Sequence, residues 1–155
     1  MSQSGRIISV NVSEKTGMQK EPVASGELVK EHGIRNDSHA GPYHRQISLL
    51  AQESINKMKA KGADVVPGSF AENLTTEGID LPSLPVGTII RTSGGATLEV
   101  TQIGKVCHND CAVFAAIGDC VMPREGIFVK VLEGGTISPG DTITVAEGGP
   151  NDDRA

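Results

Sequence analysis

Four groups able to bind a soft metal or to carry sulfur fall close together in this chain: Cys107, His108, Cys111 and Cys120. A cysteine acts as nucleophile or metal ligand as its thiolate, and nearby cations lower the thiol pKa enough to supply that form at neutral pH. Lys105, His108 and Arg124 are the cations nearest in sequence. A thiolate so placed can hold an outer sulfur as a persulfide, or ligate a late-transition or molybdenum centre. Cys107 suits either use. Two other readings stand beside this one. Cys111 and Cys120 flank the apolar run Ala112-Val113-Phe114-Ala115-Ala116-Ile117, where free cysteine packs as a small hydrophobe. A structural zinc site from Cys107, His108, Cys111 and Cys120 is also open, although the spacing lacks the paired C-x2-C knuckles that make zinc motifs specific.

A second chemistry-bearing stretch is Arg35-Asn36-Asp37-Ser38-His39-Ala40-Gly41-Pro42-Tyr43-His44-Arg45, dense in turn formers and hydrogen-bond donors. His39, His44 and Arg45 offer charge-assisted bonds to an anion, and the glycine lets backbone N–H groups approach it. The alternative is a solvated loop anchored by Tyr43. Arg45 directly precedes a strand and a helix, which would hold it rigidly. Further along, Glu72-Asn73 sits at a strand edge. It either braces a loop through side-chain to backbone bonds or offers the Asn73 amide to a ligand. Arg124 follows Pro123, whose fixed φ limits the backbone, and can pair with an anion or with Glu125 or Asp119.

The elements that must position these residues are mostly strands. The chain has no Trp, one Tyr and three Phe but 19 Gly and 8 Pro, so its core must come from Val, Ile and Leu on short, turn-rich segments. Arg6 to Val12 is β-branched and alternating, which fits a strand with one face buried. The stretch from Glu14 to Ser25 reads as polar loop. From Ser48 to Lys61 the residues Ala51, Ile55 and Met58 recur at helical spacing with Gly62 as the stop, predicting one amphipathic helix. Strands are expected at Ser69 to Thr75, Thr88 to Thr92, Thr97 to Ile103, Gly126 to Leu132 and Thr142 to Val145. Gly94-Gly95 marks a hairpin between the second and third of these, because glycine reaches positive φ without steric cost.

The bulk properties narrow the partners. A length of 155 residues suits one domain, expected over residues 1–146, and the tail from 147 to 155 holds no apolar anchor and is expected to be disordered. Fourteen Lys and Arg against 19 Asp and Glu give a net charge of -5, with no basic run, which argues against nucleic acid. No apolar stretch approaches the ~20 residues a bilayer requires, and the start MSQSGRIISV lacks the regions of a secretory signal. A cytoplasmic, membrane-free protein is expected. Three crowded cysteines make a poor disulfide framework.

Taken as an ordered set, the phrases His32-Gly33-Ile34-Arg35-Asn36-Asp37-Ser38-His39-Ala40-Gly41, Arg45-Gln46-Ile47-Ser48-Leu49-Leu50 and Gly68-Ser69-Phe70-Ala71-Glu72-Asn73-Leu74-Thr75 resemble the MOSC domain, named for the C-terminal domain of molybdenum cofactor sulfurases. The resemblance continues through Val86-Gly87, Leu98-Glu99-Val100-Thr101, Val106-Cys107, Arg124-Glu125-Gly126-Ile127-Phe128, Gly134-Gly135 and Gly140-Asp141. It implies a mainly β (α+β), barrel-like fold with few short helices. It makes Cys107 the family's characteristic cysteine, proposed to carry sulfur or contact molybdenum cofactor (molybdopterin), whereas Cys111 and Cys120 have no counterpart. Larger relatives carry a pyridoxal-phosphate desulfurase domain or further reductase domains that are not seen in this chain. No pyridoxal phosphate is therefore expected here, and a cysteine desulfurase, a molybdoenzyme or a cofactor-biosynthesis protein is the implied partner. The implied function is a cofactor-binding and sulfur-carrier module, in effect a sulfur transferase. Its alternatives are a molybdenum-dependent reductase of N-hydroxylated compounds and a zinc-stabilised interaction domain. In the carrier reading Cys107 is catalytic or metal-ligating, and His39, His44, Arg45, Asn73 and Arg124 hold the cofactor.

Overall fold

A computed structural model describes residues 4–13, 20–38, 40–104 and 125–146. Its strands are β1 (Ser4–Val12), β2 (Glu21–Val23), β3 (Gly26–Val29), β4 (Gly33–Ile34), β5 (Ile47–Ala51), β6 (Leu74–Glu77), β7 (Ile89–Thr92), β8 (Thr97–Ile103), β9 (Ile127–Glu133), β10 (Gly135–Ile137) and β11 (Thr142–Val145). Among the described residues α1 (Gln52–Ala60) is the one α-helix, accompanied by a single 3-10 turn over Leu81–Ser83. No helix here is long and apolar enough to cross a membrane.

The strands run β11-β7-β8-β9-β5-β6-β1, and β11 then pairs with β1, closing a seven-stranded barrel. Closure leaves these strands no open edge to template aggregation. β2 hangs on β1, while β10, β3 and β4 form a separate small sheet. Most pairs are antiparallel, with β5 and β6 parallel through α1. The barrel is filled by the aliphatic residues that the composition required. Ile7, Val10, Leu49, Leu74, Ile90, Leu98, Val100, Val129 and Ile143 belong to one cluster. A second cluster outside the barrel joins Leu50, Ile55, Met58, Val65, Phe70 and Phe128 beneath α1.

The mainly β, barrel-like architecture agrees with the sequence reading, and the hairpin at Gly94-Gly95 does join antiparallel β7 and β8. Several boundaries differ, three of them by three residues or more. The helix starts at Gln52, because Ser48 to Ala51 belongs to β5. Every residue of that strand is buried, since its two faces meet the barrel interior and the α1 cluster, and a strand apolar on both faces mimics helical periodicity over a short window. β6 starts at Leu74, because residues 68–72 form a turn containing Gly68 at φ +94° and Ala71 at φ +63°. Part of the polar stretch before Ser25 is β2, which pairs Val10, Asn11 and Val12 with Val23, Pro22 and Glu21. The expected tail over residues 147–155 lies outside the described residues.

Candidate functional site

The loop ending in His44-Arg45 is held against the end of β8. Pairing of β8 with β9 shifts register between Val100 and Gln102, whose partners are the adjacent residues Val129 and Phe128. The extra residue, Thr101, makes this a bulge, and a bulge re-aims the side chains beside it. Thr101 donates its hydroxyl to the His44 carbonyl. The Gln102 amide oxygen faces His44 Nε2 at 2.8 Å and accepts from Arg45 Nε at 3.1 Å, and its amide nitrogen donates to the Gly104 carbonyl at 2.8 Å. The Arg45 guanidinium lies 5.3 Å from the centroid of the Phe128 ring, within cation–π range. His44 is exposed and Arg45 half-buried.

Upstream, the same loop is anchored from below. Lys20 Nζ lies 2.7 Å from Asp37 Oδ1, and neither side chain has any exposed area. Lys20 also donates to Ser13 Oγ at 3.1 Å, Ser13 N–H donates to Asp37 at 3.1 Å, and Ser38 N–H donates to the Ser13 carbonyl at 2.8 Å. Tyr43 stays 44% exposed while its ring edge covers Gly41, where an added Cβ would meet it at 2.8 Å. Partial burial and the Asp37 carboxylate raise the Tyr43 pKa, and Arg45 pulls it the other way.

Asn73 is fully buried and joins three segments. It accepts from Ser48 N–H at 3.0 Å through Oδ1, donates to the Asn11 carbonyl at 3.1 Å, and takes a backbone bond from its own N–H to the Ser48 carbonyl at 2.9 Å. These bonds match the bracing role, one of the two the sequence allowed. Glu72, equally buried, accepts from Gly68 N–H at 2.9 Å, Phe70 N–H at 3.2 Å and Thr75 Oγ1 at 2.8 Å. Its carboxylate organises the 68–72 turn. Burial outweighs these bonds and holds the Glu72 pKa above its ordinary 4.5. A carboxyl raised on folding contributes stability that is complete below the unfolded value and is lost as pH rises through the folded one. Replacing Glu72 by Gln removes that titration. Thermal unfolding across pH should therefore show wild type losing stability relative to Glu72→Gln as pH rises from about 4.5. Parallel curves for the two proteins would contradict the assignment.

Of the residues singled out from the sequence, His44 and Arg45 come together. Asn73 sits in the β1–β5–β6 joint, bonded to Ser48 and Asn11. His39, Cys107, Cys111, Cys120 and Arg124 lie outside the described residues. The described residues stop at Gly104, just after β8, and resume at Glu125, just before β9, and Gly104 N–H donates to the Gly126 carbonyl at 2.6 Å. Gln102, Thr101, Phe128 and Lys20 were not foreseen. A glutamine on a bulge and a lysine in a polar stretch carry no local signal of their role, and only tertiary pairing reveals them.

The MOSC domain model matches residues 36–144. Similar solved structures include the YUAD protein of Bacillus subtilis, at 19% identity and a TM-score of 0.78 over 94% of this chain and 97% of that one. YiiM from Geobacillus stearothermophilus gives 22% identity and a TM-score of 0.69, covering 92% of this chain and 75% of that one. YiiM from Escherichia coli gives 19% and 0.61, covering 96% and 71%. At these identities the likeness is one of fold. No curated protein sequence matches the chain. The family match begins in the cationic loop and runs through the bulged β8 and the barrel strands from β5 into β11, and the chain belongs to the MOSC domain family.

Proposed function

We propose that this chain is a sulfur-carrier module of molybdenum cofactor metabolism, with Cys107 as the sulfur-bearing thiol and His44 and Arg45 as the cationic corner for the cofactor's phosphate. The observation that carries the reading is the junction at Gln102. It draws His44 and Arg45 onto the strand whose exit, Gly104, precedes Cys107 by three residues. Three residues span at most about 11 Å when fully extended, so the Cys107 backbone is within that reach of Gly104.

The described residues fit the anionic end of the cofactor. A guanidinium whose Nε is fixed presents its terminal edge as a fork for two oxygens, and an exposed imidazole stands beside it. Among the described residues no group of three His, Cys, Asp or Glu could hold a metal, so the soft ligand in this reading is Cys107. When bound, the cofactor would supply an acceptor site for terminal sulfur at its metal centre.

Loading needs a partner that already bears a persulfide, such as a cysteine desulfurase. The Cys107 thiolate attacks the outer sulfur of that persulfide. One S–S bond forms, the partner's S–S bond breaks, and the electron pair leaves on the partner's cysteine thiolate. No net oxidant is consumed. Arg124 and His39 are proposed as additional cations beside the thiol.

The test is mass spectrometry of the protein after incubation with a cysteine desulfurase and free cysteine. Wild type should gain the mass of one sulfur on the peptide containing Cys107, the gain should be removed by reductant, and Cys107→Ser should abolish it. Sulfur that persists in Cys107→Ser, or that resides on Cys111 or Cys120, would overturn the assignment.

A further inference from the structure

We propose that Gln102 is the positioning residue of the cationic corner, setting both the tautomer of His44 and the orientation of Arg45 for a phosphate-class oxyanion. The inference rests on the reading of His44 and Arg45 as ligand-binding groups.

The orientation of the Gln102 amide is fixed by its neighbours. Arg45 Nε carries a hydrogen under all conditions, so the atom facing it at 3.1 Å must be the amide oxygen. The Gly104 carbonyl can only accept, so the atom facing it at 2.8 Å must be the amide nitrogen. That oxygen also faces His44 Nε2 at 2.8 Å. His44 Nε2 must then carry a hydrogen, and the neutral ring is the Nε2–H tautomer with its lone pair on Nδ1. The same oxygen occupies Arg45 Nε. Among the described residues no side chain takes the two terminal guanidinium nitrogens, which delocalisation holds coplanar, and the Phe128 ring lies 5.3 Å from Cζ. A pair of coplanar donors is the arrangement that two oxygens of a tetrahedral oxyanion accept.

The bulge makes this possible. Without an extra residue at Thr101, alternation along β8 would send Thr101 and Gln102 to opposite faces, whereas both reach the 44–45 segment. The amide nitrogen meanwhile ties the corner to Gly104, the last described residue before Cys107. An anion that shifts Arg45 would pull on the peptide leading to the thiol.

Inorganic phosphate is a suitable probe, titrated while nitrogen and proton NMR follow the His44 ring and the Arg45 side chain. At a pH where the imidazole is neutral, wild type should show the Nε2–H tautomer alone. Gln102→Leu should populate both tautomers and weaken phosphate binding about tenfold, the effect of releasing one oriented charge-assisted contact. Gln102→Glu should keep the Nε2–H tautomer but lose phosphate binding, because the new carboxylate pairs with Arg45. A wild-type ring that already mixes tautomers overturns the proposal, as does a Gln102→Leu protein that binds phosphate as well as wild type. Neither readout involves sulfur or cofactor. If Cys107 carries no persulfide while these results hold, the sulfur-carrier reading falls and the positioning role stands.

Discussion

Lys20→Met is expected to lower the free energy of unfolding by about 3–5 kcal/mol, the range for removing one member of a buried ion pair. In a domain of this size that corresponds to a melting temperature lower by roughly 10 °C. The cause is specific. Asp37 and Lys20 are both shut off from solvent and meet at 2.7 Å, so the variant removes an ammonium in direct contact with a carboxylate in a low-dielectric interior. The double variant Lys20→Met with Asp37→Asn removes the carboxylate charge as well while keeping an oxygen for Ser13 N–H, which donates to Asp37 at 3.1 Å. It should recover a substantial part of the loss. Differential scanning calorimetry of the three proteins checks both expectations. A single variant that melts together with wild type would show that the pair is hydrated in solution. The consequence extends to the site, because Asp37 opens the loop that delivers His44 and Arg45.

A second large effect is expected at the turn on the other side of Lys20. Gly68 has φ +94°, and a Cβ built there falls 2.1 Å from the Lys20 carbonyl oxygen, a backbone atom that cannot swing away. The residue also accepts Lys20 N–H at 2.9 Å and donates to Glu72 at 2.9 Å. Gly68→Ala thus combines left-handed strain of about 1–2 kcal/mol with overpacking of about 1–3 kcal/mol, and a loss on the order of 4 kcal/mol follows. Gly62 is the matched comparison. It has φ +96° with nothing within 4 Å of an added Cβ, so Gly62→Ala should cost only the strain, about 1 kcal/mol. Urea titration of both variants separates steric from conformational cost. Equal losses at the two positions would mean that the close approach of Lys20 to Gly68 is relieved without penalty.

The barrel was legible where its strands carry a local pattern. Thr97 to Ile103 and Thr142 to Val145 were read with the bounds they have, because β-branched alternation and flanking glycines mark both. The pattern from Ser48 to Ala51 points to helix because a strand buried on both faces does not alternate. β3, β4 and β10 each open on a glycine and hold at most two apolar residues, so no alternation registers. The site divides in the same way. Arg45 and His44 stood out by residue type in a glycine-containing loop. Gln102 did not, because its role depends on a bulge that arises only when β8 is set against β9. Lys20 did not either, since a lysine in a polar stretch is ordinarily solvated and nothing local announces that Asp37 will meet it inside the protein.

The hydrogen bond from Gly104 to Gly126 places the two ends of the chain between them side by side on neighbouring strands. The entropy of closing such a connection grows only with the logarithm of its length, each doubling costing about 0.6 kcal/mol. A change in the length of that connection therefore costs the barrel little closure entropy. The closed barrel is in that respect a fixed frame, in which two neighbouring strands hold their adjoining ends together whatever length of chain connects them.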